Sequence, residues 1–384
     1  MFSGVARSVG DLEVRSGAMA WTVETETEER PGGGQPAPDR GPGAPPTPVP
    51  LMELTTGFWR FKVLAAAVDL GLFTALARLD AADAQRIGAE LGLHPRPVRM
   101  LLACCTALGL LDRGDDGRYR NAPTAQEFLV EGRPHYFGGF VRYSDRYGYP
   151  AWHRLGEALH TNRPTTWDPD VQESAFVTAD PGILEGFWEA MFTLSSFTAA
   201  GLGEAYDFTV HRRLLDIGGG TGAFPVGLCR RHPHLRATVL DLPRVAAMAR
   251  EKVAALGLSG VIEARDGDFL SDERLPDGHD VILLSMILHD WDEGTGRRLL
   301  DKCFAALPPG GAVIICELVL DDDERGPAPA ALMGLNMLVE TRSGHNYTYA
   351  EYRGWLADAG FGPVAVLPLD AAGANAALVA RKPN

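Results

Sequence analysis

His289 stands in the stretch Leu288-His289-Asp290-Trp291-Asp292-Glu293, a few residues after the apolar run Asp280-Val281-Ile282-Leu283-Leu284-Ser285. An imidazole with a pKa of about 6.5 is neutral at neutral pH and can accept a proton. A hydroxyl such as a phenol, with a pKa of about 10, attacks poorly until such a base relieves it of its proton. Glu317 closes the apolar run Gly311–Cys316. A buried acid without a partner is costly, and a carboxylate on the second ring nitrogen holds an imidazole in the right tautomer, so Glu317 is expected to pair with His289. The third chemical feature is Leu214-Leu215-Asp216-Ile217-Gly218-Gly219-Gly220-Thr221-Gly222. It reads as a buried strand entering a glycine turn, with a helix from Ala223 whose N-terminus can receive an anionic group. Asp216, just before the glycines, is placed to face a cation.

These residues need a scaffold, and the second half of the chain supplies one. After Tyr206, RRLLDI, ATVLDL, VIEARDGDF, DVILLS and GAVIICELVL alternate with helical segments. That alternation predicts an α/β, doubly wound parallel sheet, with ligands at the carboxyl ends of its strands. Both the glycine loop and His289 fall on that edge. The closing segments FGPVAVLPLD and ANAALVARK read as two more strands, which require one antiparallel member. The loop itself fits two ligands: Gly218, Gly220 and Ala223 satisfy G-x-G-x-x-A, with Asp241 about 20 residues on to hold a ribose diol, as in a dinucleotide site. Asp216 favours S-adenosylmethionine, whose ammonium has no counterpart in NAD. Asp268 near an adenine amino group and Phe269 against the adenine face favour it too.

The first half is different. Residues 1–50 are rich in proline and glycine toward their end and read as a disordered tail, in which Met19 is an alternative start. From Leu51, the residues Leu54, Phe58, Phe61, Leu64, Val68 and Leu72 recur at helical spacing, with a break near Gly71. A short helix, a turn, a longer helix from about Pro97 and a hairpin tipped by Asp116-Gly117 give the outline of a winged helix. Arg96 and Arg99 are too few for a DNA-reading surface. Residues 123–205 read as helical. Phe187 with Met191 and Trp188 with Phe192 are i,i+4 pairs able to roof an aromatic ligand or to serve as core. The division expected is therefore a tail at 1–50, a helical domain at 51–205 and a ligand-binding catalytic domain at 206–384. The formal charge of -14 over 384 residues argues against nucleic acid as a partner. No apolar run spans a bilayer and no leader is recognisable, so no membrane partner and a cytoplasmic location are expected. The five cysteines form no C-x-x-C pair and read as buried free thiols; no metal site is expected.

Taken together, LLDIGGGTG, VLDLP, GDF, LHDWDE, PPGG and TYAEYRGWLADAGF, in this order and spacing, resemble the plant-caffeate-type, class I O-methyltransferase family and its bacterial natural-product branch. The similarity covers residues 51–384. It implies a seven-stranded Rossmann-like sheet, a winged-helix dimerisation domain, a homodimer, S-adenosylmethionine as donor with S-adenosylhomocysteine as product, and an aromatic small-molecule acceptor. By the same resemblance Asp216, Gly218, Gly220, Asp241, Leu242, Asp268, Phe269 and Trp291 contact the donor, and Ser285 stands where a lysine is frequent. Met333, Asn336, Met337 and Thr341 would line the acceptor pocket with Phe187 and Met191, or else serve as core. The family's second glutamate, in E-R-T, is replaced by Asn346 in Asn346-Tyr347-Thr348, so Asn346 joins His289 and Glu317 among the catalytic candidates. Asn346 can hydrogen-bond but cannot offset an imidazolium charge. Nearby Glu340 either compensates or is an ordinary acid at a helix end. Three readings stay open beside O-methylation with His289 as base: N- or C-methylation, non-methylating chemistry on the same cofactor, and a metabolite-sensing winged-helix regulator.

Overall fold

A computed structural model describes residues 47–171 and 181–384. Most of the expected tail, Met19 included, lies outside the described residues, and the first helix already begins at Val49.

Helix α1 (Val49–Asp69) hands over to α2 (Leu72–Leu79) through Gly71, whose φ of 69° is a left-handed conformation that glycine adopts without strain. Then come α3 (Ala84–Leu91), capped by the Asp83 carboxylate accepting from the Arg86 amide, and α4 (Pro95–Ala107). The antiparallel hairpin β1 (Leu111–Arg113) and β2 (Tyr119–Asn121) completes the expected helix-turn-helix with a wing. Val68, Leu72, Phe73, Leu76, Ile87, Val98 and Leu102 close its core. The stripe read from α1 is only half used there: Val68 is buried, whereas Leu54 and Phe58 are exposed.

Short helices α5 (Pro123–Phe128) and α6 (Gly138–Tyr143) follow; a π-helical turn at Ser144–Gly148 then leads into α7 (Tyr149–His153) and α8 (Leu155–Thr161). The long α9 (Pro181–Ala205) crosses α6 where Gly139 faces Gly186 so closely that a methyl group at Gly139 would overlap the Gly186 carbonyl.

The catalytic half is one sheet of seven strands. In chain order come β3 (Arg213–Ile217), α10 (Ala223–Arg231), β4 (Arg236–Asp241), α11 (Pro243–Ala255), β5 (Ile262–Asp266), β6 (Val281–Ser285), α12 (Glu293–Ala306) and β7 (Ala312–Glu317), alternating as expected except between β5 and β6, which a loop without a helix connects. After α13 (Ala328–Glu340) and α14 (Tyr349–Asp358) the chain ends in β8 (Ala365–Ala371) and β9 (Ala374–Arg381). The order is β5-β4-β3-β6-β7-β9-β8, and β9 lies antiparallel to both its neighbours, which is the one reversed strand the closing hairpin demanded. Strands β6 and β7 are apolar on both faces because helices cover both sides. The chain winds outward from β3 through β4 and β5, then returns to place β6 on the other flank of β3. The switch point, and with it the ligand crevice, therefore lies at the carboxyl ends of β3 and β6. The thiols are all free and four are buried; Cys104 departs from the expectation by being exposed on α4.

Candidate active site

The glycine loop leaves β3 at that switch point. Gly218, Gly220 and Gly222 all have positive φ; a side chain on Gly218 would run into Ile287, and one on Gly220 would only touch the Trp188 ring of α9. The loop is thus a bare backbone cradle with the Trp188 ring beside it. Asp241, ending β4, braces it: one carboxylate oxygen accepts from the Gly220 amide at 2.9 Å and the other from Leu242 at 2.7 Å. Burial raises the Asp241 pKa to about 6 against those two hydrogen bonds. Asp216 lies deeper, 1% exposed. Burial, then the charge of Asp241, pushes its carboxyl well up, and among the described residues its Oδ2 has no hydrogen-bond partner. Two acids under mutual stress beside an open cradle fit a ligand that brings positive charge, such as an ammonium group. Leu242 lies half exposed at the start of α11.

On the other side of the crevice, Phe269 meets the Trp291 ring edge-on at 6.4 Å between centroids. The Trp291 indole N–H is buried and without a hydrogen-bond partner among the described residues, a donor to add to the unpaired Asp216 acceptor. Asp268 is committed to its own turn, accepting from the Leu270 amide at 2.9 Å and the Ser271 hydroxyl at 2.8 Å. Burial works against its charge, yet these hydrogen bonds hold its pKa down. Ser285 ends β6 beside Cys316 of β7. Lys302 of α12, which carries no sequence motif, fixes the Phe269 loop by donating to the carbonyls of Phe269, Leu270 and Asp272.

His289 sits in a single 3-10 turn at Leu288–Asp290, between β6 and α12, and is 4% exposed. Its Nδ1 lies 2.6 Å from Glu317 Oε2. The other Glu317 oxygen accepts from the amides of Ile287 at 2.9 Å and Leu288 at 3.1 Å. One wholly buried carboxylate thus holds both the turn and the ring, leaving Nε2 as the reactive nitrogen. Nε2 lies 3.6 Å from Asp290 Oδ1, whose side chain is still 38% open. Burial disfavours the imidazolium, but Glu317, then Asp290 and Glu340, outweigh it and raise the His289 pKa to about 9. His289 therefore differs from an ordinary imidazole: the acids that orient it also favour its protonated form.

Asn346 is 1% exposed but donates its amide to the Leu318 carbonyl at 2.7 Å, leaving its Oδ1 unpartnered among the described residues. The structure thus brings Asn346 to the end of β7, bonded to the Leu318 carbonyl and without a hydrogen bond to the imidazole. The remaining candidates surround the cleft. Phe187 packs at 4.4 Å from Tyr143 and 6.2 Å from Phe140, and Met191 lies one turn further along α9. Met337 is buried on α13, Met333 is half-buried, and Thr341 ties the helix end by donating to the Met337 carbonyl at 2.7 Å and accepting from Gly344 at 2.8 Å. Asn336 accepts from the Trp152 indole at 2.8 Å. That contact joins residues far apart in the chain, so no local pattern announces it.

The O-methyltransferase domain family matches residues 152–362, and the O-methyltransferase dimerisation domain family matches residues 52–131. A 3-hydroxy-5-methyl-1-naphthoate 3-O-methyltransferase of Streptomyces sahachiroi is 49% identical over 338 residues, covering 87% of this chain and 96% of that protein. A tetracenomycin polyketide synthesis 8-O-methyltransferase of Streptomyces glaucescens is 36% identical, covering 90% of this chain and 98% of the other. Among solved structures, human N-acetylserotonin methyltransferase in complex with S-adenosylmethionine superposes with a TM-score of 0.78 at 29% identity, over 90% of this chain and all of that one. On these matches, over most of its length and with a superposable fold, the chain belongs to the S-adenosylmethionine-dependent O-methyltransferase family.

Proposed function

We propose that this chain methylates a hydroxyl of an aromatic small molecule in antibiotic biosynthesis, with His289 as general base. The observation that carries the reading is the buried His289–Glu317 dyad beside the glycine cradle on one sheet edge. The methyl donor, when bound, supplies a sulfonium-activated methyl group and a good leaving group. The protein's own residues then align the acceptor and take its proton. Asp216 holds the donor's positive end, Gly218 and Gly220 let it approach the backbone, Asp241 and Leu242 border its ribose side, and Asp268, Phe269, Ser285 and Trp291 line the rest. The acceptor lies under Phe187 and Met191 and against Met333, Asn336, Met337 and Thr341. Its O–H proton passes to Nε2 of a neutral His289, while Glu317 stays ionised and steadies the imidazolium that forms. Asn346 supports the dyad by holding the Leu318 carbonyl, next in the chain to Glu317. Because the free imidazole titrates at about 9, kcat/KM rises with pH until that region.

Two copies associate through the N-terminal domain, where Leu51, Leu54, Phe58 and Trp59 leave an apolar face of α1 uncovered. The division at residues 51–205 and 206–384 is supported on its N-terminal side by the separate core of the winged helix, whereas Ala199 and Leu202 of α9 pack into the core of the sheet. No helix among the described residues is long and apolar enough to cross a membrane.

The test is His289→Ala. Turnover of a hydroxynaphthoate acceptor drops by at least about 100-fold while S-adenosylhomocysteine still binds in calorimetry. Near-normal turnover with intact binding removes His289 as the base.

A further inference from the structure

Glu340 does not end its helix in solvent. It sits half-buried at the C-terminus of α13, its side chain bonded to Asn336 one turn back and its charge facing His289, Asp290 and Tyr143. The surrounding chain fixes it from two directions. The Trp167 indole donates to the Glu340 carbonyl at 2.7 Å, and Thr165 and Thr166 donate to the carbonyl of Val339 just before it. The Trp152 indole of α7 donates to Asn336 Oδ1. That contact fixes which way the Asn336 amide points, since an occupied oxygen leaves the NH2 group to donate to the Glu340 carboxylate. Asn346, meanwhile, is turned toward Leu318 and carries no charge.

We infer that Glu340 is the second acid of this active site, taking over the charge-offsetting task left vacant at Asn346, and that Trp152 and Asn336 are the relay that orients it. The inference rests on His289 being the base. In the transfer the acceptor O–H bond breaks, the proton forms an N–H bond at Nε2, and the oxygen takes the methyl group. The site is then left with an imidazolium held by Glu317 on one nitrogen, with Asp290 3.6 Å from the other and the Glu340 charge close enough to stabilise it. Glu340 is a positioning residue that acts through the ring; Glu317 from β7, Asp290 from the turn before α12 and Tyr143 from α6 are the other titratable groups that share its space. Burial and the Asp290 charge raise the Glu340 pKa to about 7, so it is ionised in the alkaline range where the base is active.

The experiment is a set of kcat/KM profiles against pH for the wild type, Glu340→Gln, Trp152→Phe and the double variant Glu340→Gln with Asn346→Glu. Loss of the Glu340 charge makes the imidazolium easier to deprotonate, so the rising limb moves to lower pH by about one unit. The plateau falls by roughly tenfold, because the weaker base removes the acceptor proton less readily. The double variant returns the limb toward the wild-type position, and Trp152→Phe moves it in the same direction as Glu340→Gln but less. A damaged fold lowers kcat at every pH without moving the limb. A Glu340→Gln limb that superposes on the wild type overturns the assignment while leaving His289 as base if His289→Ala is inactive; an active His289→Ala instead removes the reading beneath it. Trp152→Phe keeps the question answerable if Glu340→Gln does not fold, and an unmoved limb there overturns the relay.

Discussion

At the scale of single residues, the site stores unfavourable electrostatics that only a ligand relieves. Asp216 is the clearest case: a carboxylate sealed in the sheet edge, close to a second acid, with one oxygen unpaired among the described residues. Removing an uncompensated buried charge does not destabilise a fold, whereas removing the partner of a cationic ligand weakens that ligand. Asp216→Asn is therefore expected to keep or raise the melting temperature of the ligand-free protein. Calorimetry with S-adenosylhomocysteine should show at least a tenfold weaker Kd, about 1.4 kcal/mol. Unchanged affinity would detach Asp216 from the donor site. Glu317 is the opposite case, since the imidazole and two backbone amides satisfy it.

Among the elements, α1 shows how a correct periodic pattern can have two destinations. Its apolar stripe runs from Leu54 to Val68, yet only the C-terminal part packs within the chain; Leu54 is 79% and Trp59 59% exposed. A helix face of that kind marks an interface. Trp59→Asp combined with Phe58→Asp should convert the dimer to a monomer in sedimentation velocity with little change in secondary structure by circular dichroism. A dimer that persists would move the interface elsewhere. Helix α9 is the complementary element: through Gly186 it seats α6, through Phe187 and Trp188 it roofs the site, and at its far end it packs on α10 and β8.

For the whole molecule, the displaced titrations add up in one direction. His289 has a folded pKa of about 9 against about 6.5 unfolded, so the stability it contributes is full below pH 6.5 and is lost as the pH rises to about 9. Asp290 and Glu340, raised to about 6 and about 7, also bind protons more tightly folded than unfolded, and each opposes folding increasingly from about pH 4 up to its raised value. The ligand-free protein should melt at a lower temperature at pH 9 than at pH 6 in a thermal scan. A flat or rising profile would mean that the acids around the imidazole do not hold its proton.

Much of this molecule was legible in its letters. Strands β3, β6 and β7 are short apolar runs, the strands from β3 to β7 are mostly separated by helices, which points to a parallel sheet, and a parallel sheet carries its ligands at the carboxyl edge, so Asp216, the glycines and His289 fall together. The pairing of Glu317 with His289 followed from the cost of burying an acid alone. Three matters waited for the tertiary structure. The protonation state of His289 depends on Asp290 and Glu340, which reach it from separate elements. The inward position of Glu340 depends on Trp152 and Trp167, which the fold brings across more than 170 residues of chain to hold the end of α13. The idle charge position at Asn346 became meaningful only once its amide was seen turned to Leu318. Periodicity and local cost determine elements and neighbours along the chain; the charge state of a buried group is set by what folding places around it, and those neighbours come from segments that share no pattern.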